Sequence, residues 1–593
     1  MIIQRANKLI TSSFFLLSPV SVFINGESVF FRTSFYILIF LACFAIFAVK
    51  PLHAGEKFTI QPSGVVSWDY MVKNPKEMRA LPEKQKAVPD KAVPEPVEIG
   101  GGTIRSAATS DTEAVIAVEA ADLLPATLGS SGPLDVTRRF RALDDDNTVN
   151  PPCPTGAAGP NHLMSMLNSQ VRIESKRGTN ISTVSLNTFW TSGTSLSGNP
   201  FDPRLVYDSL SNRWIAVVCA NAWSSSSTMW FAVSDDSDPT GNWTYYGFDA
   251  DSGNADWADL PDIGVNNTWV AITATMYIIA DGNISGAKMW VMNKSTLGGS
   301  LTFTEFSTGF DSAAGWTGVT LRPCVTFDSA QSTLYIVDFR GLESSGTYIL
   351  RLSRITGSAS SPSWSAVPGS SILSGSGFFF VNNNFNYTQI DAAQPGTATD
   401  IETNYPFIIN AVLRNGSVWC THNAGLPVSP SASTRTAVFW YELNPASSAS
   451  PIVQSGVVDG GTGVHHFSPS ITANINDDVL LGFTRSDSSR YAEAVVTGRE
   501  NTDTAGTMGS ITVIKSGEDS FVKDFGTGRV RWGDYSATVV DPADDATFWT
   551  IQEYAETDVG SEQYDDRWGT WWAQVGGEPI PTVVPVLMFL LGD

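Results

Sequence analysis

From residue 136 onward the apolar positions fall in short alternating runs, each closed by Gly, Asn, Asp, Ser or Pro. That is the pattern of β-strands joined by tight turns. The clearest unit is FDPRLVYD (Phe201–Asp208), a polar turn, RWIAVVCA (Arg213–Ala220), then TMWFAVSD (Thr228–Asp235) and NWTYYGF (Asn242–Phe248). Comparable units start at Leu260, Arg322, Tyr405, Phe467 and Trp532, and an earlier one starts at Gly159. Seven such units, each about 45 to 80 residues long, predict an all-β fold, a seven-bladed β-propeller of four-stranded blades. A small twisted sheet cannot bury both faces alone, and stacking sheets around an axis solves this. A two-sheet sandwich is the competing all-β arrangement, but it predicts no such period. The final unit is one strand short, and the alternating stretch VTRRFRAL (Val136–Leu143) can supply the missing outer strand.

The flanks break the pattern. Phe35–Val49 is almost wholly apolar, follows Arg32 and precedes Leu52-His53-Ala54, so residues 1–54 read as a signal segment. The run is shorter than the roughly 20 residues of a spanning helix; an uncleaved anchor is the alternative. Residues 55–135, rich in Lys, Glu, Ala and Pro, read as a disordered linker or pro-segment, and 136–575 as the propeller. Residues 576–593 form an apolar tail too short to span a bilayer.

Charge narrows the partners. The 593 residues carry 36 Lys+Arg against 59 Asp+Glu, a net charge of −23, which argues against a nucleic-acid partner. Charged residues are only 16% of the chain against about 25% in an average protein, so each buried or clustered charge carries information. An acidic chain behind a leader is expected to be secreted or at the cell surface, a monomer with no membrane span once mature. Of five Cys, Cys43 lies in the leader. Cys153, Cys219, Cys324 and Cys420 are widely spaced and lack a C-x-x-C pair. Buried free thiols are the expectation; three disulfide connectivities stay open.

The stretches PPCPTGAAGPNH, FDPRLVYD with NRWIAV, SDPTGNW, AVLRNGSVW, RWGDYSATVVDPADDATFWTIQEYA and WGT resemble a family of exported bacterial β-propeller proteins described as uncharacterised or sialidase-like. The resemblance covers roughly residues 136–575. SDPTGNW also resembles a stretched Asp-box turn, with Ser234, Asp236, Gly241 and Trp243. That motif implies a fold and not an activity. The family has an acidic residue after the Pro-Pro pair where this chain has Cys153, so no role carries over to it. The resemblance implies a glycan or an extracellular protein as partner. A sialidase-like glycoside hydrolase is the alternative, although the Phe/Tyr-Arg-Ile-Pro opening of retaining sialidases is missing and Arg322-Pro323 only echoes it.

Loops entering the innermost strands hold an unusual share of the scarce charge. They carry Asn161, His162, Arg204, Asp262, Arg322, His465, His466, Arg531, Trp532, Asp534 and Tyr535. Inner strands of a propeller run alike, so Arg204, Asp262, Arg322, Arg531, Trp532, Asp534 and Tyr535 are expected to converge at one mouth of the channel. Guanidinium forks there could hold an acidic sugar, with Tyr535 or Asp534 as nucleophile or acid. The competing expectation is that these groups pair with each other across blades. Adjacent His465 and His466 point to opposite faces of a strand and are not expected to share a metal. The acidic turns Asp144–Asn147 and Asp541–Asp545 offer carboxylates to Ca²⁺ but lack the odd-position spacing of a Ca²⁺ loop, so no cofactor is expected.

Overall fold

The structure is a computed structural model. It describes residues 23–24, 27–28, 56–75, 134–309, 320–342, 347–367, 378–380, 390–404, 406–427, 433–447, 451–525, 527–560 and 565–577. The chain divides into two units, Met1–Leu52 and His53–Asp593. In the first, Phe23–Ile24 pairs with Glu27–Ser28; the apolar run of the expected leader lies outside the described residues. So do most of the expected linker and nearly all of the C-terminal tail.

The second unit is a β-propeller of four-stranded antiparallel meanders. In one of them Pro200–Asp208, Arg213–Ala220, Thr228–Ser234 and Asn242–Asp249 pair in sequence order. Seven separate blades are not what the pairing gives. Among the described residues five sheets of four or five strands stand alone. Two further meanders are fused into one ten-stranded sheet. The fusing element is the short strand Val325–Thr326, parallel to Val265 on one side and to Val412–Leu413 on the other.

Two more expectations are corrected. Residues 56–74 are not linker. Glu56–Ile60 pairs with Leu301–Glu305, and Gly64–Ser67 with Asn242–Tyr245, each as a fifth outer strand. Their apolar alternation explains it: Phe58 stacks on Phe303 at 5.3 Å, and Val66 is buried. Ser67 then caps the short helix Trp68–Lys73 by accepting from the Tyr70 N–H, and the helix buries Trp68 and Met71. The first meander also begins one strand earlier than the sequence suggested, at Thr155–Ala158, so His162 starts a second strand rather than an innermost one.

Val136–Asp144 pairs with Arg567–Val575, bringing Arg141 opposite Trp571 and Phe140 opposite Trp572. It completes the last sheet as its fourth strand. Indoles fill the spaces between strands: Trp190, Trp214 and Trp243 are wholly buried, and Phe189 meets Trp243 edge-on at 5.1 Å. In the turn before Asn242, Ser234 Oγ accepts from the Trp214 N–H and donates to the Asp236 carbonyl, and Trp243 Nε1 donates to the Pro239 carbonyl. No helix among the described residues is long and apolar enough to cross a membrane. Cys153, Cys219, Cys324 and Cys420 are buried and free.

One local device recurs at the start of the innermost strands. A residue with positive φ stands immediately before a proline: Cys153 at 46°, Asp202 at 52°, Leu260 at 47° and Ser468 at 50°. Register shifts fall at the same places, between Phe201 and Arg204, Asp259 and Asp262, and Phe467 and Ser470. Each is a bulge that re-aims the side chains beside it, and positive φ at such residues stores strain that packing must hold.

Candidate functional site

A cavity opens between the innermost strands, with Thr155, Arg204, Asp262, Pro323, Asn410 and Thr538 among its lining residues. Arg322, Arg531, Asp534 and Tyr535 are not part of that lining. They instead lie with Arg204 and Asp262 in a buried polar cluster.

Asp262 lies 4.0 Å from Arg204 Nε and 3.9 Å from Arg322 Nε. Both guanidinia are otherwise committed to the backbone. Arg204 donates to the carbonyls of Pro261 and Ile409, and Arg322 to those of Ile408 and Leu260. The Arg204 guanidinium lies 3.5 Å above the Tyr535 ring, and the Tyr535 hydroxyl donates to the Pro203 carbonyl at 2.7 Å. Arg204 is 5% exposed, Arg322 3% and Tyr535 1%, so none is open to solvent. Burial pulls Arg322 down to about 10 despite Asp262 beside it. Burial pushes the Tyr535 hydroxyl well above its usual range. A hydroxyl held neutral and spent on a carbonyl is a poor nucleophile.

The second half of the cluster is acidic. Arg531 donates to Asp534 Oδ1 at 3.0 Å and lies 3.9 Å from Glu402, which Arg529 also grips. Burial works against the Arg531 charge, but Asp534 and then Glu402 outweigh it and hold it above its ordinary value. Asp534 also accepts from Asn404 Nδ2 at 2.7 Å and from the Cys153 thiol at 3.1 Å. Asp202 and Asp259, both fully buried, stand close by. Burial, and then the Asp534 charge, pushes Asp202 up to about 7. Burial likewise lifts the Cys153 thiol and Asp259. Gly533 has to be glycine here: a Cβ would come within 2.4 Å of Glu553 Oε2 and 2.7 Å of Pro154 Cδ.

The structure thus gathers Arg204, Asp262, Arg322, Arg531, Asp534 and Tyr535 as buried side chains, of which Arg204 and Asp262 also line the cavity. Trp532 departs from the group. It packs against Phe467 and Phe521 and donates to Thr484. His465 and His466 stand elsewhere: His466 Nδ1 is 3.0 Å from the Val458 carbonyl, and His465 Nδ1 is 3.4 Å from the Thr436 N–H. Sequence reasoning missed Cys153, Asp202 and Asp259. The signal was the proline after each bulge: Asp202 and Cys153 sit at the step before one, and Asp259 two before.

No family model and no curated protein matches the chain. Solved structures that it is similar to include the phage phi92 endosialidase, at 9% identity over 63% of this chain and 67% of that one, with a TM-score of 0.33. Trypanosoma rangeli sialidase in complex with sialic acid aligns at 10% identity over 68% of this chain, with a TM-score of 0.34. The chain spans only 57% of that sialidase, less than two thirds of its length. A Synechocystis apocarotenoid oxygenase mutant scores alike, at 9% identity over 63% of this chain and 76% of that one, with a TM-score of 0.32. These values carry no argument about activity.

Proposed function

We propose that this chain is an exported β-propeller that binds a glycan or a protein outside the cell or at its surface, without catalysing a reaction at the charged cluster. The observation that carries the reading is the commitment of the would-be catalytic groups: Arg204 and Arg322 to carbonyls and Asp262, Tyr535 to the Pro203 carbonyl. A substrate carboxylate would have to displace buried partners, each costing about 1–3 kcal/mol to leave unpaired. Export rests on the apolar leader and on the resemblance of the repeat units to exported propellers. The sialidase-like hydrolase draws on the gathering of three arginines with Tyr535, and requires those groups to be released. Two assays with the full chain separate the readings. Immobilised glycan and extracellular-protein panels should yield a saturable ligand, and a panel of fluorogenic glycosides should show no turnover. Turnover lost in Tyr535→Phe would overturn the binding reading in favour of the hydrolase.

A further inference from the structure

We propose that Cys153, Asp202 and Asp534 form a buried site for a thiophilic divalent cation of the zinc class. Their donor atoms all lie within 4.8 Å of one another, and all three residues are buried. They come from separate strand starts, Cys153 and Asp202 each from a positive-φ step before a proline, so the backbone is bent at two places to bring them to one point.

The second observation is a set of carboxylate oxygens that meet no protein donor. Asp202 is fully buried; Oδ1 has the Asn168 amide at 3.5 Å, the Cys153 thiol lies close enough to stabilise the carboxylate, and Oδ2 has no hydrogen-bond partner. Asp259, also fully buried, keeps Oδ2 without a donor, and its carboxylate interacts electrostatically with Asp202 and Asp534. Buried carboxylate oxygens are costly unless paired or bound to a metal.

The donor set selects the ion. One sulfur and two carboxylate oxygens suit zinc and its neighbours, whereas calcium and magnesium favour all-oxygen shells. Binding is a proton exchange. The Cys153 S–H bond breaks, a sulfur–metal bond forms, and the proton leaves to the buffer. Asp534 Oδ2, which accepts from that thiol and more weakly from Arg531 Nη2 at 3.3 Å, turns to the metal, while Arg531 at 3.0 Å and Asn404 keep Oδ1.

The test uses the full chain, loaded with ZnCl₂ or CoCl₂ and desalted. Elemental analysis should find about one zinc per chain, and the cobalt form should show a near-ultraviolet sulfur-to-cobalt charge-transfer band. Cys153→Ser should abolish the band, and Asp202→Asn should lower zinc retention at least tenfold. Cys219→Ala should leave both unchanged. Thermal unfolding of each variant confirms that it is folded. Should Cys153→Ser misfold, protection of Cys153 from a thiol reagent by zinc in the wild-type chain replaces it. Zinc retention equal in wild type and Asp202→Asn, or a wild-type cobalt form without the band, overturns the site. In that case shared protons and not a metal neutralise the cluster.

Discussion

Two buried regions of this propeller solve the same problem by different means. Around Trp190, Trp214 and Trp243 the interior is aromatic and aliphatic; Trp214 Nε1 and Trp243 Nε1 are tied off locally on the Ser237 and Pro239 carbonyls, while Trp190 Nε1 has no hydrogen-bond partner. Around Arg322 and Arg531 the interior is ionic: Arg322 depends on Asp262 and the Ile408 carbonyl from other strands, and Arg531 on Asp534 three residues along. The apolar region gains from each square ångström removed from water, whoever the neighbour is. The ionic region gains little from burial and loses heavily when one member is removed. The contrast separates what holds the sheets together from what fixes the geometry at the starts of the inner strands.

The largest effect is expected at the strand that completes the last sheet. Deleting Val136–Leu143 removes buried Phe140, Ala142 and Leu143 and bares the edge of Arg567–Val575. Thermal scanning should show loss of a cooperative transition, and an unshifted transition would refute the completion of that sheet. Next, Trp243→Ala in the aromatic region should cost about 3–5 kcal/mol in denaturant unfolding, because a wholly buried indole leaves a cavity. A cost below about 1 kcal/mol would mean the region collapses freely and does not hold the fold.

A smaller effect concerns pH. Burial depresses His422, His465 and His466 to about 4 from an ordinary 6.5. A depressed base binds fewer protons folded than unfolded, so its contribution is complete above pH 6.5 and is lost as pH falls through 4. Glu174, raised to about 8 by burial, acts oppositely: its contribution is complete below 4.5 and is lost as pH rises through 8. The two trends overlap, so the clean measurement is a difference. The melting temperature of His422→Phe relative to wild type should improve as pH falls from 6.5 to 4; a constant difference would rule out a buried neutral His422. The smallest effect is at the surface. Lys73→Ala breaks an ion pair with Asp69 whose partners are 68% and 72% exposed, and should cost no more than about 0.5 kcal/mol. A larger loss by thermal unfolding would mean that the Trp68–Lys73 helix contributes more than its buried face.

The strand units were legible because alternation is local: FDPRLVYD and RWIAVVCA display their pairing in their own residues. The partnership of Val136–Asp144 with Arg567–Val575 was legible from the missing strand. The fused sheet was not, since Val325–Thr326 is two residues long and carries no periodicity. The outer strands at 56–67 were hidden in a segment whose average composition is that of a linker, although Phe58 and Val66 mark them individually. At the site, the convergence of Arg204, Arg322 and Arg531 followed from matching positions in the units. Their burial did not, because it depends on how neighbouring strands close over them, and at Arg204 on an X-Pro bulge beside it, a backbone effect that residue types alone do not display.

The central claim is that the arginine cluster is a structural ion network and not an open clamp for a ligand. Denaturant unfolding of Arg322→Ala tests it most directly. The account predicts a cooperative transition destabilised by about 3–5 kcal/mol, because Asp262 loses one of its two cations and the Ile408 and Leu260 carbonyls lose their donor. An unchanged midpoint, together with lost binding of an acidic glycan, would contradict it.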